Sequence, residues 1–158
     1  MQANGELEKM NNKLVAKAKY KANRPTPVAG ITRATETKVW EFDPTYIATK
    51  DISTSYGVIV KKGDRVNPLD KIPLSKIIIF YDGDDKKQIA WVKNKCRKFN
   101  DRCKLVLVNG AISDQTIIFN KPVYFDQFGS LTTKFNIKHA PAVIKQKGNV
   151  LEITEVKI

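Results

Sequence analysis

The sequence predicts an α/β fold, with a buried sheet and flanking helices in the C-terminal half, preceded by a β-hairpin extension and an N-terminal helix or tail. Three observations carry the prediction. Two continuous apolar runs, Ile77-Ile78-Ile79-Phe80-Tyr81 and Leu105-Val106-Leu107-Val108, have the look of strands covered on both faces. Between them lies a helical stripe, Ile89, Val92, Cys96 and Phe99, flanked by Trp91. Upstream, β-branched runs broken by Gly turns read as a hairpin.

In chain order, Leu7, Met10, Leu14 and Ala18 are spaced three, four and four, which sets them on one face of a helix over residues 3–22. The stripe is narrow and such a helix is marginal alone. It stops at Arg24-Pro25-Thr26-Pro27, where the two prolines favour an extended linker. Residues 1–38 therefore form a basic helical tail and linker. Residues 39–75 form the extension: Val39 to Phe42 begins extended, Asp43-Pro44 turns, and the hairpin runs from Tyr46 to Leu69 with turns at Ser55-Tyr56-Gly57 and Gly63-Asp64. A hairpin of this size needs a surface to pack on. Residues 76–158 form the α/β domain. Its first strand and helix join at Asp82-Gly83-Asp84-Asp85, where carboxylates suit a helix N-terminus. One βαβ unit with a right-handed crossover follows. Then come Pro122 to Asp126, a turn at Phe128-Gly129, a short helical stretch from Leu131 to Ile137, and a final β-hairpin turning at Lys147-Gly148-Asn149.

Charge follows the same division. The net charge is +12, with +5 on residues 1–38, balance on 39–75 and +7 on 76–158. That permits nucleic acid, anionic lipid or an acidic protein as partner and selects none of them. The cluster Lys86, Lys87, Lys93, Lys95, Arg97, Lys98, Arg102 and Lys104 lacks interleaved exposed aromatics, since Trp91 and Phe99 fall on or near the core stripe. A solvated or protein-docking face is the expectation, and nucleic acid is not expected. No apolar run reaches the length of a membrane span, and the first residues are polar. Either the protein is cytoplasmic or a leader has been removed.

The order β-α-β, short helix, proline-led β-hairpin is that of the thioredoxin layout. The segment Phe135 to Ile144 resembles the stretch around the thioredoxin cis-proline, which makes Pro141 a candidate cis peptide against the ordinary trans form. Redox thioredoxins place thiols where the first strand meets its helix. Here that corner holds Asp82, Asp84 and Asp85, and Cys96 lies more than two turns along the helix. Cys96 and Cys103 have six residues between them, neither a redox C-x-x-C nor half a zinc site. They read as two small apolar residues, or as one short disulfide in an oxidising compartment. The three aspartates lack calcium-loop spacing and His139 has no nucleophile beside it. Catalytic residues, metal ligands, cofactors and a small-molecule substrate are all expected to be absent.

A second resemblance spans residues 24 to about 145. Arg24-Pro25-x-Pro27-Val28, Asp43-Pro44, Lys50-Asp51-Ile52, Gly57 and the run Lys62-Gly63-Asp64-Arg65-Val66-Asn67-Pro68-Leu69-Asp70 resemble the TraW family of F-type conjugative transfer proteins. Phe80-x-Asp82-Gly83-Asp84, Gln88-x-x-Trp91, Tyr124-Phe125-Asp126-Gln127-x-Gly129 and Pro141-Ala142 continue the match. The resemblance implies a non-catalytic periplasmic component of a type IV secretion apparatus, needed for pilus assembly and partnered by TrbC-like and other transfer proteins. It points to Trp40, Asp43, Asn67, Pro68, Leu69 and Asp70 as partner-binding residues. Family members carry a secretory leader, so the resemblance implies a mature or trimmed chain and puts residues 1–4 in doubt as native. A periplasmic setting makes a Cys96–Cys103 disulfide plausible. Two other readings compete: a divergent thiol-disulfide oxidoreductase using those cysteines, and a basic nucleic-acid-binding module.

Overall fold

A computed structural model describes residues 2–158; Met1, and the side chains of residues 2–4 and Val58, lie outside that description, and with them the expectation about residues 1–4. The elements in chain order are α1 (Gln2–Asn23), β1 (Thr32–Arg33), β2 (Lys38–Phe42), β3 (Tyr46–Ile47), β4 (Ile52–Thr54), β5 (Gly57–Val60) and β6 (Arg65–Val66). They continue as β7 (Ile77–Asp82), α2 (Lys86–Lys98), β8 (Cys103–Asn109), α3 (Ile112–Phe119), β9 (Val123–Phe125), α4 (Ser130–Lys134), β10 (His139–Ala140), β11 (Ala142–Lys147) and β12 (Val150–Glu155).

The central sheet has six strands in the order β2-β12-β11-β7-β8-β9. β7, β8 and β9 are parallel, while β11, β12 and β2 add antiparallel strands on the other side of β7. This mixed α/β arrangement is compatible with a thioredoxin-like fold: a parallel βαβ unit, then an antiparallel hairpin laid beside its first strand. Period-2 alternation splits the core into two layers. Ile77, Ile79 and Tyr81 of β7 and Cys103, Leu105 and Leu107 of β8 face α2 and α3. Phe80, Val106 and Val108 face the other side with Ala142, Ile144, Leu151 and Ile153. There Phe135, Ile137, the linker residues Val28 and Ile31, and Leu69 and Leu74 of the extension close the layer.

Two elements depart from the sequence reading. The segment Lys38–Phe42, placed with the extension by the expected division at residue 39, is the edge strand of the main sheet and pairs antiparallel with β12 over five residues. The cause is its alternation: Trp40 and Phe42 turn inward onto the core and Phe42 packs edge-on against Phe135 with centroids 5.0 Å apart. The second departure is α3 with β9, which forms a second parallel crossover that the pattern does not mark. Polar Gln115 sits on its buried face while Ile117 and Ile118 point outward, the reverse of an amphipathic signal. Gln115 is held in place by accepting from the Tyr81 hydroxyl (3.1 Å) and donating to the Gly83 carbonyl (3.0 Å).

The remainder of the extension is one long hairpin in two steps. β3 pairs with β6 and β4 with β5, both antiparallel, around buried Ala48 and Val60. It is tied to the domain by Asn67, whose amide donates to the Asn149 carbonyl in the turn between β11 and β12 at 2.7 Å.

Candidate functional site

The corner where β7 meets α2 is where a thioredoxin-like fold does its chemistry, so its construction decides what this one can do. Asp85 caps α2, accepting from the Lys87 and Gln88 amides at 3.0 and 3.4 Å. Asp82 accepts from the Asp84 amide and from the Asn109 side chain, both at 2.9 Å. Asp84 receives Asn109 at 3.0 Å and a two-pronged contact from the Arg24 guanidinium at 2.8 and 3.1 Å. Arg33 donates to Asp85 through Nε at 2.8 Å. Hydrogen bonding from Arg24 holds the Asp84 carboxyl below its ordinary value. Burial pushes the Asp85 carboxyl upward, but donation from Arg33, Gln88 and Lys87 outweighs it and the net direction is down. All three carboxylates are engaged by hydrogen bonds from the chain itself.

Backbone closeness seals the floor. A Cβ on Gly83 would lie 2.9 Å from Leu107 Cδ2 and 3.1 Å from the Asn109 carbonyl oxygen. Across from it, Gly110 at φ +120° has no room for a side chain either, because the Gly83 Cα would be 2.9 Å away. The two strand-to-helix turns thus rest on each other.

The roof is the linker. The Val28 amide donates to the Val108 carbonyl at 2.9 Å, Thr32 to Lys138 at 3.2 Å and Ala34 to Ala140 at 3.0 Å. β1 thereby pairs in parallel with β10, the two residues leading into the Ala140–Pro141 peptide, which is cis. The chain has laid its own extended segment along the edge beside the cis-proline. A hollow of roughly 210 Å³ remains between linker and corner, bounded by Pro27, Arg33, Asp82 and Asp85. That is below the ~300–1,000 Å³ of ordinary small-molecule clefts. His139 next to this edge is engaged by buried Glu155, with Nδ1 to Oε1 3.0 Å, and Glu155 Oε2 also accepts the Lys138 and His139 amides at 2.8 Å.

The cysteines lie elsewhere. Cys96 and Cys103 are bonded to each other, with Cα atoms 5.6 Å apart, joining the end of α2 to the start of β8. They are only 4% and 1% exposed. Among the described residues no three His, Cys, Asp or Glu side chains are grouped to hold a metal ion. No helix among them is long and apolar enough to cross a membrane. Of the basic cluster, Lys95 lies over the Trp91 and Phe99 rings at 5.9 and 5.3 Å, both partly buried against the core, and Lys104 lies 4.8 Å from the centre of the half-exposed Tyr124 ring.

The residues marked as partner-binding separate into two groups. Trp40 donates from Nε1 to the Phe135 carbonyl at 3.1 Å and is half-buried in the sheet edge. Asn67 caps the short 3-10 turn Pro68–Asp70 by accepting the Leu69 amide at 2.9 Å, and Leu69 packs onto the core. Asp43, Pro68 and Asp70 are exposed. Sequence reasoning missed other exposed apolar groups: Tyr56 at the hairpin tip, 98% exposed, and Phe128, 99% exposed. Phe128 stands in a left-handed backbone conformation, φ +61°, a place bulky residues rarely occupy. An aromatic inside a turn motif was the available signal.

Fold and corner together define a mixed α/β protein, compatible with a thioredoxin-like fold, in which the corner between β7 and α2 carries no thiol and is covered by its own linker. The chain belongs to the TraW family. It is 30% identical over 143 residues to Protein TraW of Escherichia coli strain K12, a match covering 90% of this chain and 68% of the relative. No family model matches the chain, and no solved structure matches it.

Proposed function

We propose that this protein is a non-catalytic, periplasmic component of an F-type conjugative transfer apparatus, required for pilus assembly and acting by binding other apparatus proteins, TrbC-like proteins among them. Membership of the TraW family supports the conjugative setting. The observation that carries the non-catalytic part is the corner: carboxylates replace thiols, and Arg24 and Arg33 of the linker occupy them. A buried Cys96–Cys103 bridge suits an oxidising compartment and a structural use of both sulfurs. In this reading the linker, the extension and the α/β domain are three functional parts, and Asp43, Pro68 and Asp70 present the extension to partners while Trp40, Asn67 and Leu69 hold its base.

The test is genetic and biochemical together. Deleting the gene from its transfer system should reduce mating and pilus display by orders of magnitude. The tagged chain should be recovered from the periplasm with a TrbC-like protein and should not reduce insulin. Undiminished transfer in the deletion strain, or insulin reduction by the pure protein, would sink the proposal.

A further inference from the structure

Among its described residues, α1 packs on nothing between Gly5 and Ala22. Every described side chain from Gly5 to Ala22 is exposed, with Leu7 and Leu14 each 64% accessible on a rod of about 33 Å. Helices of this kind draw most of their stability from packing of an apolar face, so a bare stripe of Leu7, Met10, Leu14 and Ala18 is a surface awaiting cover. The rod is nevertheless anchored at one end. Asn23 Oδ1 accepts the Ser113 amide at 2.7 Å, supplying the cap that α3 lacks from its own Ala111. Arg24 grips Asp84. A trailing tail would need neither bond; these two present the helix as a fixed arm.

The apolar surface continues beyond the helix. Lys21, three residues past Ala18 on the same face, lines a shallow hollow at the foot of the arm together with Pro25, Pro27, Val28 and Phe128. Beside Phe128, Gly129 lets Val28 approach closely, since a Cβ there would lie 2.9 Å from Val28 Cγ1. Charge identifies the occupant. Lys9, Lys13 and Lys17 recur every four residues along one flank of the stripe, and α1 carries five lysines against two glutamates. A second copy would oppose like charge to like, on molecules of net charge +12. A bilayer is a poorer fit, because the stripe holds no Trp or Phe and its centre is interrupted by Asn11.

We propose that α1 and the Phe128 foot form one docking surface for an acidic amphipathic helix of another protein, its apolar seam on Leu7, Met10 and Leu14 and its carboxylates against Lys9, Lys13 and Lys17. The inference rests on the reading above only for the choice of cell in which to look.

A photo-crosslinking amino acid is placed at Met10 or Leu14 of the full chain, in cells carrying its transfer system, and the adduct is sequenced. The expected adduct is a single protein segment with apolar residues at three- and four-residue spacing and Asp or Glu along one flank. The triple change Lys9→Glu, Lys13→Glu, Lys17→Glu should cut its yield roughly tenfold, and Phe128→Ala several-fold. The melting temperature should not move for the helix variants, since Lys9, Lys13 and Lys17 are exposed, so misfolding is separable from lost docking. An adduct with phospholipid, with a second copy or with a segment lacking acidic residues would overturn the inference, as would no adduct at all. If deletion of the gene abolishes mating while crosslinking fails, the inference falls and the proposed function stands.

Discussion

Replacing Cys96 and Cys103 together by alanine tests whether the sulfurs are a structural staple. Their separation of seven closes a loop of eight residues counting both ends. Loop-closure entropy for that size contributes about 2.5 kcal/mol at 25 °C by restricting the unfolded chain. With about 2.1 cal/mol/K of unfolding entropy per residue over 158 residues, the melting temperature should fall by about 7 °C. Urea denaturation and thermal melts are compared for oxidised wild type, reduced wild type and the double variant. The reduced protein isolates the cross-link; any additional loss in the variant reports the space left by two nearly inaccessible sulfurs. Stability of the variant within about 0.5 kcal/mol of oxidised wild type would refute the reasoning. So would disulfide-exchange activity that the double variant abolishes.

The corner yields two more predictions. Gly83→Ala forces a methyl against Leu107 Cδ2 and the Asn109 carbonyl and should cost about 1–3 kcal/mol in urea denaturation, because backbone on the far side cannot retreat. Arg24→Ala should cost no more than about 1 kcal/mol at pH 7, since the pair with Asp84 is part-exposed. The Asp84 carboxyl is held below its unfolded value, so this contribution is complete above about pH 4 and is lost as pH falls through the folded value. The difference between wild type and variant, followed by urea unfolding against pH, should therefore close in acid; a difference that persists to about pH 2 would contradict the assignment.

The strands β7 and β8 and the helix α2 stood out because burial on both faces writes itself as an unbroken apolar run, and burial on one side as a stripe. The absence of corner thiols was equally plain. α3 was not, since its inward residue is Gln115 and its outward ones are Ile117 and Ile118. The amide is tolerated inside only because Tyr81 and Gly83 satisfy it, and that partnership exists only in three dimensions. Likewise Lys38–Phe42 looked like the start of the extension, because adjacency in sequence says nothing about which sheet edge a strand will find.

The sequence by itself determined the fold class, the parallel βαβ unit and the carboxylate identity of the corner, because these rest on local periodicity and on which atoms a side chain carries. Only the tertiary structure decided that the linker roofs that corner and that Arg24 and Arg33 neutralise it. It alone decided, too, that α1 stands clear of the domain. Those facts depend on contacts between residues 50 to 110 positions apart, whose pairing is set by the packing of the whole chain.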